Sequence, residues 1–125
     1  MNKYLTKRDL LIIHDEVIAE FGGKPGIRDE AALEAAIGRL STGYYDDILE
    51  EAAAFMESLA QNHPFVDGNK RVALFGTDIF LRINGKQIDC DNDKAYSFFQ
   101  TLFEKHEFDF GHLLPWLTKH VVQLK

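Results

Sequence analysis

From Leu10 the apolar residues Ile13, Val17 and Phe21 recur at i, i+3, i+7 and i+11, the stripe of an amphipathic helix. Thr6 is placed to cap this helix with Asp9 three residues on, and Gly22-Gly23 to end it. Pro25 and Gly26 mark a turn, and Asp29 reads as the N-cap of a second helix running to Leu40. A loop around Gly43 leads to a third helix, where Leu49, Ala52, Ala53, Met56, Leu59 and Ala60 share a face. A fourth begins near Lys70 and stops before the turn dipeptide Asn84-Gly85. Its apolar residues Val72, Phe75, Ile79, Phe80 and Ile83 span an arc of roughly 140°. Such a wide arc predicts a central, largely buried helix, with Arg71, Asp78 and Arg82 lined up on another side. Gln87–Cys90 is expected to be extended. Asp91 or Asp93 caps a fifth helix carrying Ala95, Phe98, Phe99, Leu102 and Phe103. A last helix carries Leu117, Val121 and Val122, with Pro115 in its first turn. The pattern predicts an all-α fold, a compact bundle of about six helices in one domain over residues 1–125.

Composition narrows this picture. With 46% hydrophobic and 27% charged residues, the chain of 125 residues has a foldable, globular balance. Nowhere do about 18 apolar residues run together, as a membrane-spanning helix requires. The segment Met1–Asp9 lacks the apolar core of a signal peptide, so a cytoplasmic location is expected. Cys90 stands alone, so no internal disulfide and no cysteine-pair zinc site is expected. The net charge of −6 argues against a nucleic-acid binder that works by bulk positive charge. That charge is uneven. Residues 1–62 carry 12 acids and 6 bases, whereas residues 63–125 carry 8 of each, so the basic chemistry lies in the second half.

The chemistry concentrates between the third and fourth helices, in His63-Pro64-Phe65-Val66-Asp67-Gly68-Asn69-Lys70-Arg71. The loop enters a helix N-terminus, where free backbone N–H groups and the positive end of the helix dipole make an anion site. Gly68 permits positive φ and close approach to a ligand. Asn69 offers an amide; Lys70 and Arg71 add two cations, the guanidinium suited to bidentate phosphate contact. Asp67 is a hard oxygen ligand suited to Mg²⁺ shared with phosphates, and a histidine such as His63 can take a proton from an attacking hydroxyl. This is the inventory of phosphoryl or nucleotidyl transfer. A structural reading stands beside it: Asp67-Gly68 as a turn, Asn69 as an N-cap and His63-Pro64 as a helix stop.

The string resembles the Fic superfamily signature, His-Pro-Phe-x-(Asp/Glu)-Gly-Asn-(Gly/Lys)-Arg, and is most similar to its death-on-curing (Doc) toxin branch. His14-Asp15, Phe21-Gly22-Gly23, Pro25-Gly26-Ile27-Arg28-Asp29 and Leu33-Glu34-Ala35-Ala36-Ile37 match that branch's N-terminal pattern. The resemblance implies that His63 is the general base acting on a protein hydroxyl, and that Phe65 pins the loop to the core. Asp67 would hold Mg²⁺ or orient the nucleotide phosphates, Gly68 and Asn69 would form the anion-binding nest, and Arg71 would grip a phosphate. Lys70 departs from the adenylyl-transferring pattern, which has Gly there, and resembles the Doc toxins. Those transfer the γ-phosphate of ATP to a threonine of elongation factor Tu. A side chain at position 70 narrows the nest and adds a charge, which favours a kinase over an AMP transferase. Gly68 keeps the roomier residue of the adenylyl type, so AMP transfer by the same site stays open, as does a catalytically inactive partner-binding module.

Many Fic proteins carry an inhibitory (Ser/Thr)-x-x-x-Glu-(Gly/Asn) helix, but no glutamate here is followed by Gly or Asn. The resemblance then implies an antitoxin supplied in trans, with a segment folded along a groove. Phe98, Phe99, Phe103, Phe108 and Phe110 are expected mainly in the core, with a groove wall as the alternative. His14 is expected to be a buried, hydrogen-bonded structural histidine, and His112 and His120 are not expected to bind zinc. Asp46, Asp47, Glu50 and Glu51 read as a solvated helix N-terminus, Trp116 as core and Cys90 as a small buried hydrophobe.

Overall fold

The computed structural model describes residues 2–41 and 44–124; the loop expected around Gly43 lies outside the described residues. The described chain forms six helices: α1 (Lys7–Phe21), α2 (Glu30–Leu40), α3 (Ile48–Asn62), α4 (Asn69–Arg82), α5 (Asn92–Glu104) and α6 (Phe110–His120). Two short strands, β1 (Lys86–Ile88) and β2 (Val121–Gln123), complete the order, β1 following α4 and β2 following α6. The all-α expectation holds. No helix among the described residues is long and apolar enough to cross a membrane.

Local signals set the helix ends. The Thr6 hydroxyl accepts from Asp9 N–H at 3.1 Å, and the Asp9 carboxylate accepts from Thr6 N–H at 2.9 Å, a complete capping box. Asp29, Asp47, Asp91 and Asp109 cap α2, α3, α5 and α6 through their carboxylates, which settles the choice between Asp91 and Asp93.

As expected, α4 is central and largely buried, packing against α1, α3, α5 and β1, and α3 shares the centre with it. Ala52, Ala53, Phe55, Met56, Leu59 and Ala60 are completely buried, and α3 packs against α2, α4 and α6. On α4, Val72 and Phe80 are buried as expected, but Ile79 and Ile83 are more than a third exposed, at 37% and 38%. The face of α4 that turns inward includes Ala73, Gly76 and Thr77. A Cβ on Gly76 would be in ordinary contact with Leu10 at 3.5 Å and Phe55 at 3.6 Å, so this side is packed against α1 and α3. The large apolar residues Val72, Leu74, Phe80 and Leu81 share the buried side with these small ones, so the predicted arc captures only part of it.

The C-terminal end differs from its expectation in two ways. Pro115 lies in the second turn of α6, the sixth residue of the helix, where it removes the hydrogen bond to the Gly111 carbonyl. Gly111 is exposed, so that carbonyl is open to water. Val121 and Val122 leave the helix and pair antiparallel with β1, Ile88 opposite Val121 and Gln87 opposite Val122. Their β-branched side chains favour the strand once β1 offers an edge.

Of the acidic cluster, Asp47 caps α3 as expected, but Glu51 is buried and accepts from Asn2 Nδ2 at 3.1 Å and the Tyr4 hydroxyl at 3.0 Å. Burial, then the Glu51 hydrogen bond, pushes the Tyr4 hydroxyl above its ordinary pKa. Phe99 and Phe108 are fully buried and Phe98, Phe103 and Phe110 half-buried around the core residue Trp116, so the first two wall no groove. Cys90 is half-buried at the core edge rather than enclosed.

Candidate active site

The loop joining α3 to α4 is held from below by α1 and from the side by residues 26–29. At the end of α3, His63 takes a left-handed conformation, φ 47° and ψ 61°, which turns the chain out of the helix. The Arg28 side chain closes that helix end. Its Nε donates to the His63 carbonyl and its Nη2 to the Asn62 carbonyl, both at 2.6 Å. The Pro64 carbonyl accepts from Arg28 N–H at 2.7 Å and Asp29 N–H at 3.0 Å, and Val66 N–H donates to the Gly26 carbonyl at 3.0 Å. An antiparallel bridge pairs Ile27 with Phe65.

Phe65 is completely buried and stacks on the buried His14, ring centroids 3.9 Å apart and nearly parallel. His14 Nε2 lies 2.8 Å from the Asp67 carbonyl oxygen; a carbonyl only accepts, so Nε2 carries the proton. Asn69, itself buried, clips the loop shut: Oδ1 accepts from Phe65 N–H and Nδ2 donates to the Phe65 carbonyl, both at 3.0 Å. The amide expected to serve the anion nest is therefore committed to the loop. Asn69 instead contributes its backbone N–H, as the first residue of α4.

Gly68 precedes it with φ +80°, and a Cβ there would come 3.3 Å from Ile18 Cδ1. Among the described residues five helices have a side-chain cap and α4 has none. Its first-turn N–H groups open on a cavity of about 370 Å³ whose lining includes His63, Asp67, Gly68, Lys70, Arg71 and Tyr96. The structure thus brings together all the residues that sequence reasoning nominated. The Asp67 carboxylate accepts from Gly68 N–H at 2.9 Å and Lys24 N–H at 3.2 Å, one backbone donor to each oxygen. Lys70 and Arg71 are both drawn toward α5. Lys70 Nζ donates to Gln100 Oε1 at 2.9 Å and lies 4.3 Å above the Phe103 ring. The Arg71 guanidinium lies over the rings of Phe21 and Tyr96, at 4.0 and 4.1 Å.

Sequence reasoning gave no part in this site to Arg28, Tyr96 or Gln100, whose partners are 30 residues away or on another helix. The sequence marks Gly23 as a helix stop and as part of the resemblance at the N-terminus, with no role against Asp67. A Cβ on it would press to 2.7 Å from Asp67 Oδ2, so its smallness admits the carboxylate, and the Gly22-Gly23 pair was the available signal.

Among the described residues no three His, Cys, Asp or Glu side chains converge on a point where they could hold a metal. The donor set still suits Mg²⁺, a hard ion that takes one or two carboxylates and completes its shell with water and substrate phosphates; Asp67 is the carboxylate available. Uncapped N–H groups, a guanidinium, a carboxylate and an imidazole thus line one cavity on an all-α scaffold, groups whose chemistry suits a phosphate.

Residues 4–81 match the Fic/DOC family, and the chain belongs to it. Over 98 residues it is 41% identical to Toxin Doc of Mycolicibacterium smegmatis, covering 74% of this chain and 73% of that protein. Over 90 residues it is 37% identical to Protein kinase doc of Escherichia phage P1, covering 69% and 71%.

Proposed function

We propose that this protein is a toxin of a type II toxin–antitoxin pair that transfers the γ-phosphate of ATP to a threonine hydroxyl of a translation factor such as elongation factor Tu. One observation carries the reading: α4 lacks a side-chain cap where its N–H groups, Arg71, Asp67 and His63 line one cavity. A phosphate oxygen accepting from those N–H groups would supply the missing cap. The kinase name of the phage P1 relative and the lysine at position 70 favour γ-phosphate transfer.

In this reading the Arg71 guanidinium and the first-turn N–H groups of Asn69, Lys70 and Arg71 hold the phosphates, the Gly68 N–H being taken by the Asp67 carboxylate, and His63 accepts the proton of the target hydroxyl. The hydroxyl oxygen bonds to the γ-phosphorus as the bond from that phosphorus to the β,γ-bridging oxygen breaks, and ADP leaves. Asp67 holds Mg²⁺, which when bound neutralises charge on the phosphate oxygens. Arg28 and Asn69 keep the loop in shape for this work. An antitoxin supplied in trans is the corresponding partner, in keeping with the toxin name of the mycobacterial relative.

Incubation with elongation factor Tu and ATP radiolabelled on either the α- or the γ-phosphate tests the proposal. Label is expected on the target from the γ position only, and none with His63→Ala. Label from the α position would replace the kinase with an AMP transferase. No label from either, with partner binding intact, would leave a binding module.

A further inference from the structure

Arg71 makes no hydrogen bond and no ion pair among the described residues, whereas its neighbour Lys70 is tied to Gln100. A guanidinium left so would ordinarily sweep through many rotamers, and a phosphate would have to order it on binding. Here two aromatic rings from different helices meet it: Phe21 at the end of α1 and the half-buried Tyr96 in the first turns of α5. Phe21 is braced in turn by Phe75, ring centroids 5.6 Å apart. Cation–π contact uses the face of the guanidinium, while a phosphate uses the N–H bonds in its plane. The two kinds of contact are compatible on one side chain. Rings hold Arg71 while leaving its donors available in the cavity that also contains His63 and Asp67.

We infer that Tyr96, with Phe21, is a positioning residue that pre-orders Arg71 for an incoming phosphate, so that α1 and α5 act on the phosphate through Arg71. This rests on the proposed phosphate role of the cavity, but the ordering itself is a property of the free protein. Tyr96 belongs to a face of α5, with Gln100 and Phe103 four and seven residues on, that holds both loop cations. That face separates their roles, fixing the Lys70 ammonium on α5 and presenting Arg71 to the ligand.

Two measurements decide the matter. In the free protein, the order parameter of the Arg71 Nε–H bond is expected near the rigid value of about 0.85, falling below about 0.6 in Tyr96→Leu. By calorimetry, Mg·ATP is expected to bind about tenfold more weakly to Tyr96→Leu, the cost of freezing a long arginine side chain only when the phosphate arrives, and within about twofold of normal to Tyr96→Phe. In an Arg71→Gln background the Tyr96→Leu change should have no further effect, since the cation it serves is gone. Should Tyr96→Leu fail to fold, Phe21→Leu takes its place in the same series. A mobile Arg71 in the unsubstituted protein overturns the inference. So does a tenfold loss that persists unchanged in the Arg71→Gln background. If the unsubstituted protein binds no Mg·ATP, the proposed reaction falls, and the order parameters alone still decide for or against the positioning role.

Discussion

Asn69 is where the loop's shape depends most on a single side chain. It is 8% exposed and Phe65 is wholly buried, and the two residues exchange hydrogen bonds of 3.0 Å in both directions. Asn69→Ala removes both partners of the Phe65 backbone at once. Each buried N–H or C=O left unpaired costs about 1–3 kcal/mol, so two give about 2–6 kcal/mol. Alanine's better helix propensity returns only about 0.5 kcal/mol. The net expectation is a loss of about 3 kcal/mol, or roughly 10 °C in Tm for a chain of this size. Urea unfolding should show a lower midpoint with an unchanged slope, because the surface exposed on unfolding is the same. Amide hydrogen exchange should show Phe65 N–H losing protection. Asn69→Asp should fare no better: it keeps an acceptor for Phe65 N–H but sets a carboxylate against the Phe65 carbonyl. A midpoint change worth less than about 0.5 kcal/mol, with Phe65 still protected, would refute the account of how the loop is closed.

Three further outcomes are expected. His14→Phe keeps the stack on Phe65 but loses the bond to the Asp67 carbonyl, so thermal unfolding should report a loss of about 1 kcal/mol. Gly68→Ala forces a side chain into φ +80° and toward Ile18, for a loss of about 1–2 kcal/mol that Gly68→Asn should halve, both measured by denaturant titration. His112 lies between Asp109 and Glu107, at 2.7 and 2.8 Å; the Asp109 hydrogen bond, then the two carboxylate charges, raises its pKa above 6.5. The same hydrogen bond lowers Asp109 below 3.8. The His112 contribution is complete below 6.5 and is lost as pH rises through its raised value; that of Asp109 is present above 3.8 and is lost as pH falls through its lowered value. The Tm difference between the unsubstituted protein and His112→Gln should therefore be widest between about pH 4 and 6 and close at higher pH; a gap that grows with pH would contradict the pairing.

Features encoded within a few neighbouring residues were open to reading in the sequence. Thr6 and Asp9, Asp29, and the Asn84-Gly85 stop act over three or four positions, and each was found where expected. The nine residues from His63 to Arg71 were legible for the same reason: a loop entering a helix brings its own side chains and first-turn N–H groups to one place. Local spacing does not say where a side chain turns once the loop is folded. Asn69 turned inward to Phe65, and Lys70 outward to Gln100.

The sequence by itself determined six amphipathic helices, most of their ends and the loop that carries the candidate chemistry, because propensity, capping and backbone conformation depend on near neighbours. Only the tertiary structure decided which side chains of the two central helices face inward, since the buried faces include alanines of α3 and small residues of α4 that the spacing of large apolar residues overlooks. It also decided that Val121 and Val122 form a strand, because the edge they pair with is supplied by Lys86–Ile88, more than 30 residues earlier. The site's supports came last of all. Arg28 on the end of α3, His14 under Asp67 and Tyr96 over Arg71 act across 25 to 53 residues, and such contacts exist only once the helices have packed.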